Sequence, residues 1–98
     1  MASGAVRIEA LGKDNSDTWK LQMEAVLIKR DAWNYVNGQT PKAKLLADSS
    51  NVAAVTDWEK NNVKARSDII LSISPPELKQ MKNCGTSREI WLRLEDIY

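Results

Sequence analysis

The amino-acid sequence predicts an all-α domain, a compact bundle of about five helices in which the second and fourth are short. Apolar residues recur at helical spacing in several segments, and turn-forming residues separate those segments. Three Ser/Thr-x-x-Glu patterns, which are typical of helix starts, occur in the second half. With 98 residues, of which 43% are hydrophobic and 28% charged, the chain suits one globular domain.

An extended lead-in is predicted for residues 1–15, followed by a helical domain over residues 16–98. Val6 and Ile8 alternate with charged neighbours, which is the pattern of a short strand. Leu11-Gly12 and the polar residues after it indicate a turn into the first helix.

The first helix is predicted from Asp17 or Thr18 to Arg30, and it is apolar on two sides. One side carries Trp19, Met23, Val26, Leu27 and Arg30. The other carries Leu21, Ala25 and Ile28. A helix apolar on two faces is either central in its domain or covered by a partner. The second stripe is therefore a candidate self-association surface or ligand groove, and the alternative that it is core stays open.

A short second helix is predicted from Asp31 to Val36, and Asn37-Gly38 is a good stop because glycine tolerates the left-handed conformation. Gln39 to Asn51 is polar and reads as a long loop, with space for one turn at Lys42–Leu46. Loops of this length in a small domain are often functional or variable inserts.

Three capping boxes predict the remaining helices at roughly 57–73, 75–82 and 87–98. They are Thr56-x-x-Glu59, Ser74-x-x-Glu77 and Thr86-x-x-Glu89. Pro75 strengthens the second box, and Gly85 is expected to close the helix that follows it. The last helix reaches Tyr98 without a C-cap signal, so we expect the chain to be a fragment of a longer protein.

The sequence lacks the residues that most enzyme reactions require. Histidine is absent, Cys84 is the single cysteine, and the four glycines form no phosphate-binding loop. We therefore expect no enzyme, no catalytic residue, no cofactor, no metal site and no small-molecule substrate. The sequence contains no apolar run of membrane-helix length and no signal peptide. Its single cysteine cannot form an internal disulfide, which suits a reducing compartment. These features predict a cytoplasmic protein that does not enter a membrane.

The charge balance argues against tight nucleic-acid binding by this segment, because 14 basic and 13 acidic residues give a net charge of +1. Lys79, Lys82, Arg88 and Arg93 are weak candidates for RNA contact. Acidic residues lie among them, which favours an ordinary solvated face. The four tryptophans share helical spacing with Leu, Ile and Val, so we interpret them as core residues and not as a stacking platform.

Two blocks of the apolar framework form a recognisable pattern. The first is Leu11-Gly12…Asn15…Trp19-Lys20…Met23-Glu24-Ala25…Leu27…Asp31…Trp33…Val36. The second is Trp58…Ala65…Ile69…Leu78…Thr86…Glu89…Trp91…Leu94…Tyr98. Together they span residues 11–98, and they resemble the Gag protein of copia-type retrotransposons. The sequence departs from the family pattern at three places. Ser16 stands where an aromatic residue is usual, and Ala32 stands where Leu is common. Leu11 also adjoins Gly12 directly, one residue short of the common spacing.

The resemblance implies a structural role as the amino-terminal lobe of a capsid. Gag chains assemble into virus-like particles that enclose the element's RNA, so the implied partners are further copies of the chain and RNA held by the full-length protein. A second lobe and any zinc knuckle would lie after Tyr98. The alternative is a domesticated Gag-derived adaptor domain, in which a groove beside the first helix binds a short peptide.

Overall fold

The structure, a computed structural model, describes residues 8–98 and contains five α-helices in that range. The helices are α1 (Ser16–Lys29), α2 (Trp33–Val36), α3 (Val52–Ile70), α4 (Pro75–Leu78) and α5 (Ser87–Ile97). One turn of 3-10 helix, Lys79–Met81, continues α4. The all-α fold class is confirmed, and so are the short second and fourth helices.

The segment before α1 joins the domain through Leu11, whose side chain is fully buried. Leu11 forms an isolated parallel bridge with Ile73. Its N–H donates to the Ser72 carbonyl at 2.8 Å, and its carbonyl accepts from the Ser74 N–H at 3.1 Å. Of the strand pattern predicted over residues 6–9, residues 6 and 7 lie outside the described part of the chain. The division into a lead-in and a helical domain stays a prediction.

The junction of α1 and α2 is a Schellman motif that was not expected from the sequence. The chain turns at Asp31, which has a left-handed φ of 57°. The Ala32 N–H donates to the Leu27 carbonyl at 2.8 Å, and the Asp31 N–H donates to the Ile28 carbonyl at 3.1 Å. Buried Ala32 and Leu27 belong to the same apolar cluster. As a result α1 ends one residue earlier, and α2 begins two residues later, than predicted.

Helix α3 begins five residues before its predicted start, so the proposed capping box Thr56-x-x-Glu59 was wrong. Asn51 occupies the N-cap position, and Thr56 lies inside the helix. The buried face of α3 begins at Val55, one turn before Trp58, and packing of that turn extends the helix toward its N-terminus. The helix also stops at Ile70, three residues short of the predicted end.

The second capping box, Ser74-x-x-Glu77, lies at the start of α4, but its side-chain hydrogen bonds do not form. Ser74 is the N-cap residue of α4, but its side chain makes no capping hydrogen bond. The Glu77 carboxylate instead accepts a 2.7 Å hydrogen bond from the Tyr98 hydroxyl. α4 with its 3-10 turn ends at Met81, so Gly85 is not its terminator.

The third box marks the start of α5, and its N-cap hydrogen bond is confirmed. The Glu89 N–H donates to Thr86 Oγ1 at 3.1 Å, and the Thr86 hydroxyl donates to Glu89 Oε1 at 3.2 Å.

One apolar core unites the helices and the bridge segment. Its buried members are Leu11, Trp19, Met23, Leu27, Ala32, Val36, Ala65, Ile69, Ile73, Met81, Ile90, Trp91 and Leu94. Trp19 stacks on Trp91 with ring centroids 6.0 Å apart, and Trp33 meets Trp91 edge-on at 5.2 Å. The core interpretation is confirmed for Trp19, Trp58 and Trp91, whereas Trp33 is only half-buried.

Candidate interaction surface

The second apolar stripe of α1 faces solvent. Leu21 is 72% exposed and Ile28 is 52% exposed, and Ala25 is also exposed. Leu21 and Ile28 are seven residues apart and therefore lie within about 20° of each other around the helix axis. The sequence left open whether this stripe is core or surface. The exposure of its side chains shows that the stripe is not part of the core of this chain.

A groove of about 380 Å³ runs beside this stripe, between α1, α2 and α5. Leu21 lines it from α1, Trp33 from α2 and Trp91 from α5. Ile28 lines an adjoining concavity of about 250 Å³ that shares Trp33. Ala25 lines neither concavity. Leu21 and Ile28 thus flank a continuous surface in which the half-buried Trp33 ring is the common element.

The charges of the groove are mixed, with a net negative balance. Asp17, Glu24 and Glu95 contribute carboxylates, and Lys20 and Arg88 contribute cations. Arg88 already has a structural role, because its Nη1 donates to the Val36 carbonyl at 3.2 Å, at the end of α2. This hydrogen bond gives Arg88, one of the candidate RNA contacts, a structural function at the end of α2.

Gly38 makes the close approach of Arg88 possible. A Cβ atom at this position would lie 3.2 Å from the Arg88 guanidinium carbon. Gly38 also has a φ of 89°, which L-residues rarely adopt. The predicted Asn37-Gly38 stop is confirmed, and it holds the end of α2 against α5.

A buried polar contact positions α5, which forms one wall of the groove. Asn62 of α3 accepts two hydrogen bonds on Oδ1, from the Ser87 N–H at 2.9 Å and from the Ser87 hydroxyl at 3.0 Å. Ser87 is fully buried, and its N–H is one of the helix-start donors that lack an intrahelical partner. Asn62 therefore fixes the start of α5 on α3.

The other basic candidates do not form one patch with Arg88. Lys79, Lys82 and Arg93 are all exposed. Arg88 and Arg93 are five residues apart on α5, so their directions differ by about 140°. Lys79 and Lys82 lie in and just after the 3-10 turn. An RNA-contact role for these residues stays a prediction.

The loop between α2 and α3 presents two leucines that the sequence interpretation did not single out. Leu45 and Leu46 are 55% and 52% exposed. The Trp58 indole N–H anchors the loop by donating to the Thr40 carbonyl at 2.6 Å. The sequence signal for this surface was a pair of adjacent leucines in a largely polar loop, where no helical pattern requires them as core.

Among residues 8–98, no three His, Cys, Asp or Glu side chains are grouped so that they could hold a metal ion. No helix in the described range is long and apolar enough to cross a membrane. Cys84 is a free, half-buried cysteine. Burial, and then the hydrogen bond and charge of Glu77, raise the pKa of Tyr98 to about 12.

The sequence model of the gag-polypeptide family of copia-type LTR retrotransposons matches residues 23–98, more than three quarters of the chain. The chain therefore belongs to the copia-type Gag family. The match includes all of α2 to α5 and the second half of α1, and the part of the resemblance at residues 11–22 lies before it. Searches of curated proteins and of solved structures gave no match.

Proposed function

We propose that this domain is a structural, non-enzymatic self-assembly module of a copia-type Gag capsid, working in the cytoplasm. In this role it forms homo-oligomeric contacts within a particle that packages the element's RNA. The observation that carries the proposal is the solvent-facing stripe of Leu21 and Ile28 on a helix whose other face is buried. Membership of the Gag family supports the choice of another copy of the chain as the proposed partner.

Removal of exposed apolar side chains from water by a partner lowers the free energy of the system. Burial of such a side chain contributes roughly 1.5–3 kcal/mol, less the entropy lost on association. Two leucine-sized side chains therefore support only a weak contact between isolated copies. Repetition of the contact around a shell makes assembly strong, since linked weak contacts add through multivalency.

The test is the molecular mass in solution across a wide concentration range, measured by sedimentation equilibrium. Wild type is compared with Leu21→Lys/Ile28→Lys and with a control, Val63→Lys/Leu71→Lys, which changes exposed apolar residues on and after α3. Because all four side chains face solvent, both variants are expected to keep the wild-type circular dichroism spectrum. The proposal predicts association of wild type and control, and a monomeric stripe variant. Equal masses for all three proteins would contradict it.

A second candidate function is a Gag-derived adaptor that holds a short peptide in the groove. The groove of about 380 Å³ lined by Trp33 and Trp91 favours it, because binding sites of this size with aromatic walls suit short peptide segments. It predicts a wild-type monomer at all concentrations, together with saturable binding of a peptide ligand that is lost in Leu21→Lys/Ile28→Lys.

Direct RNA binding by this segment is expected to be weak or absent, with RNA held by the full-length chain. The exposed cations Lys79, Lys82 and Arg93 are the available contacts. Because both the affinity and its salt dependence grow with the number of phosphates contacted, three cations would give weak binding with a modest salt dependence. A filter-binding titration at two salt concentrations checks this expectation, and tight, salt-resistant binding would contradict it.

A further inference from the structure

From the structure we infer that the contact between copies is head-to-tail, with Leu45 and Leu46 of one copy seated in the α1–α2–α5 groove of the next. This inference rests on the proposed self-assembly function and specifies the partner surface of the groove. It pairs two of the exposed apolar features of the described residues, the stripe of Leu21 and Ile28 beside the groove and the loop pair Leu45 and Leu46.

The loop holds the two leucines in a defined shape. The Asn51 side chain accepts a hydrogen bond from the Leu46 N–H at 2.9 Å and donates one to the Lys44 carbonyl at 2.8 Å. It therefore clamps the backbone on both sides of Leu45. The Ser49 N–H closes the turn by donating to the Leu46 carbonyl at 2.9 Å. A preformed loop loses little conformational entropy on docking, which favours its use as a contact.

The loop and the groove are separate surfaces of the same chain. The groove is lined by residues of α1, by Trp33 and Asn37, and by residues of α5, and none of its lining residues belongs to residues 39–51. The leucines are anchored instead at the N-terminal end of α3, through Asn51 and Trp58. The described structure thus has the leucines outside their own groove, and docking requires a second copy.

Charge complementarity supports this pairing. The groove carries the carboxylates of Asp17, Glu24 and Glu95 against two cations. The loop, residues 39–51, carries Lys42 and Lys44 against a single acidic residue, Asp48.

The loop lysines can turn toward a partner at little cost. Lys42 Nζ lies 3.6 Å from Glu59 Oε2 in a pair with both side chains about half exposed. Such an exposed pair is weak and can be exchanged for a partner's carboxylate. The loop would therefore bring two apolar side chains and a net positive charge to a groove that offers apolar contacts at Leu21, Trp33 and Trp91 and carries a net negative charge.

A loop-in-groove contact is heterologous, since each copy offers two different surfaces. Such a contact leaves one free groove and one free loop on every dimer. It closes into rings when the rotation between copies permits and otherwise continues as a filament. A symmetric contact of α1 with α1 would instead stop at the dimer.

The test is complementation between two variants that each lose one surface. Leu45→Ser/Leu46→Ser loses the loop contact and keeps the groove, whereas Leu21→Lys/Ile28→Lys loses the groove and keeps the loop. Val63→Ser/Leu71→Ser is the matched control for loss of exposed apolar side chains. Sedimentation equilibrium of each protein alone, and of an equimolar mixture of the two variants, reports the mass.

The inference predicts at least tenfold weaker association of each surface variant alone. It also predicts that their mixture recovers the wild-type association constant but does not exceed the mass of a heterodimer. If the loop variant associates as wild type does, the inference is wrong and self-assembly through α1 stands. A mixture that stays monomeric also overturns the head-to-tail contact. If wild type itself is monomeric throughout, the proposed function fails together with the inference.

Discussion

Substitution of Asn62 by alanine tests how α5, and with it one wall of the groove, is held on α3. Asn62 Oδ1 is the acceptor for both the N–H and the hydroxyl of Ser87, and both residues are buried. The substitution leaves two buried donors without an acceptor. Each unsatisfied buried donor costs about 1–3 kcal/mol, and the hydroxyl can recover part of this by rotating. We therefore expect Asn62→Ala to lower the free energy of unfolding by about 2–4 kcal/mol.

The assay is urea and thermal unfolding followed by circular dichroism. In a domain of this size, 1 kcal/mol shifts the melting temperature by about 4–8 °C, so a decrease of roughly 10–30 °C is expected. Ser87→Ala removes one of the two donors and should cost about 1 kcal/mol. A double-mutant cycle should give a coupling energy of about 1 kcal/mol between the two side chains.

Asn61 provides a matched control one residue away. Its Nδ2 donates to the Tyr35 hydroxyl at 3.1 Å, but the contact is only partly buried, so water can replace it. Asn61→Ala should cost about 1 kcal/mol or less. The conclusion that Asn62 fixes the start of α5 on α3 would be refuted if Asn62→Ala were no more destabilising than Asn61→Ala.

Three further substitutions probe local features of the fold. Gly38→Ala should lower the free energy of unfolding by about 1–2 kcal/mol, measured by urea denaturation, because its φ is 89° and the new Cβ would crowd Arg88. Asp31→Gly should raise it by roughly 0.5–1 kcal/mol, since glycine adopts the φ of 57° without strain, whereas Asp31→Ala should not. Tyr98→Phe should remove a pH dependence at alkaline pH, as measured by urea denaturation between pH 8 and 12.

The sign of the Tyr98 effect follows from its raised pKa. The folded chain holds the Tyr98 proton up to a pKa of about 12, against the ordinary value of 10.0, because the hydroxyl is partly buried and donates to Glu77. The unfolded chain therefore loses the proton first, and stability falls as the pH rises from 10 to 12. Below pH 10 this contribution is complete. A wild-type stability profile parallel to that of Tyr98→Phe across this range would contradict the assignment.

Helical spacing in the sequence was sufficient to predict the fold class and most of the core. The spacing of Trp19, Met23 and Leu27 correctly identified the buried face of α1. The start of α3 was missed because a Thr-x-x-Glu pattern also fits the interior of a helix. Val55, Trp58, Asn62, Ala65 and Ile69 are spaced alternately by three and four residues, and this stripe would have shown the earlier start.

Two local features, the hydrogen bond of Glu77 and the turn at Asp31, depend on tertiary contacts that local sequence patterns do not contain. Glu77 fits a capping box in the sequence, but its carboxylate accepts from Tyr98, 21 residues further on. Asp31 adopts a left-handed conformation that is more typical of glycine, and the buried Ala32 that follows it stabilises the turn. In both cases tertiary packing determined the local structure.

The candidate surface was predicted only in part. Leu21, Ala25 and Ile28 were recognised as a second stripe, but periodicity alone cannot distinguish a buried face from one open to a partner. Their exposure depends on where α2 and α5 pack around α1. The groove itself combines residues 17–24, 33–37 and 88–95, which only the tertiary fold brings together.

The most direct test of the central claim, that the outward face of α1 is a contact between copies, is a dilution series of backbone amide and indole NMR spectra. If copies associate through this face, the resonances of Leu21, Ile28 and the Trp33 indole shift with concentration, and those of Val63 and Leu71 do not. Shifts confined to other faces of the domain, or spectra that do not change with concentration, would contradict it.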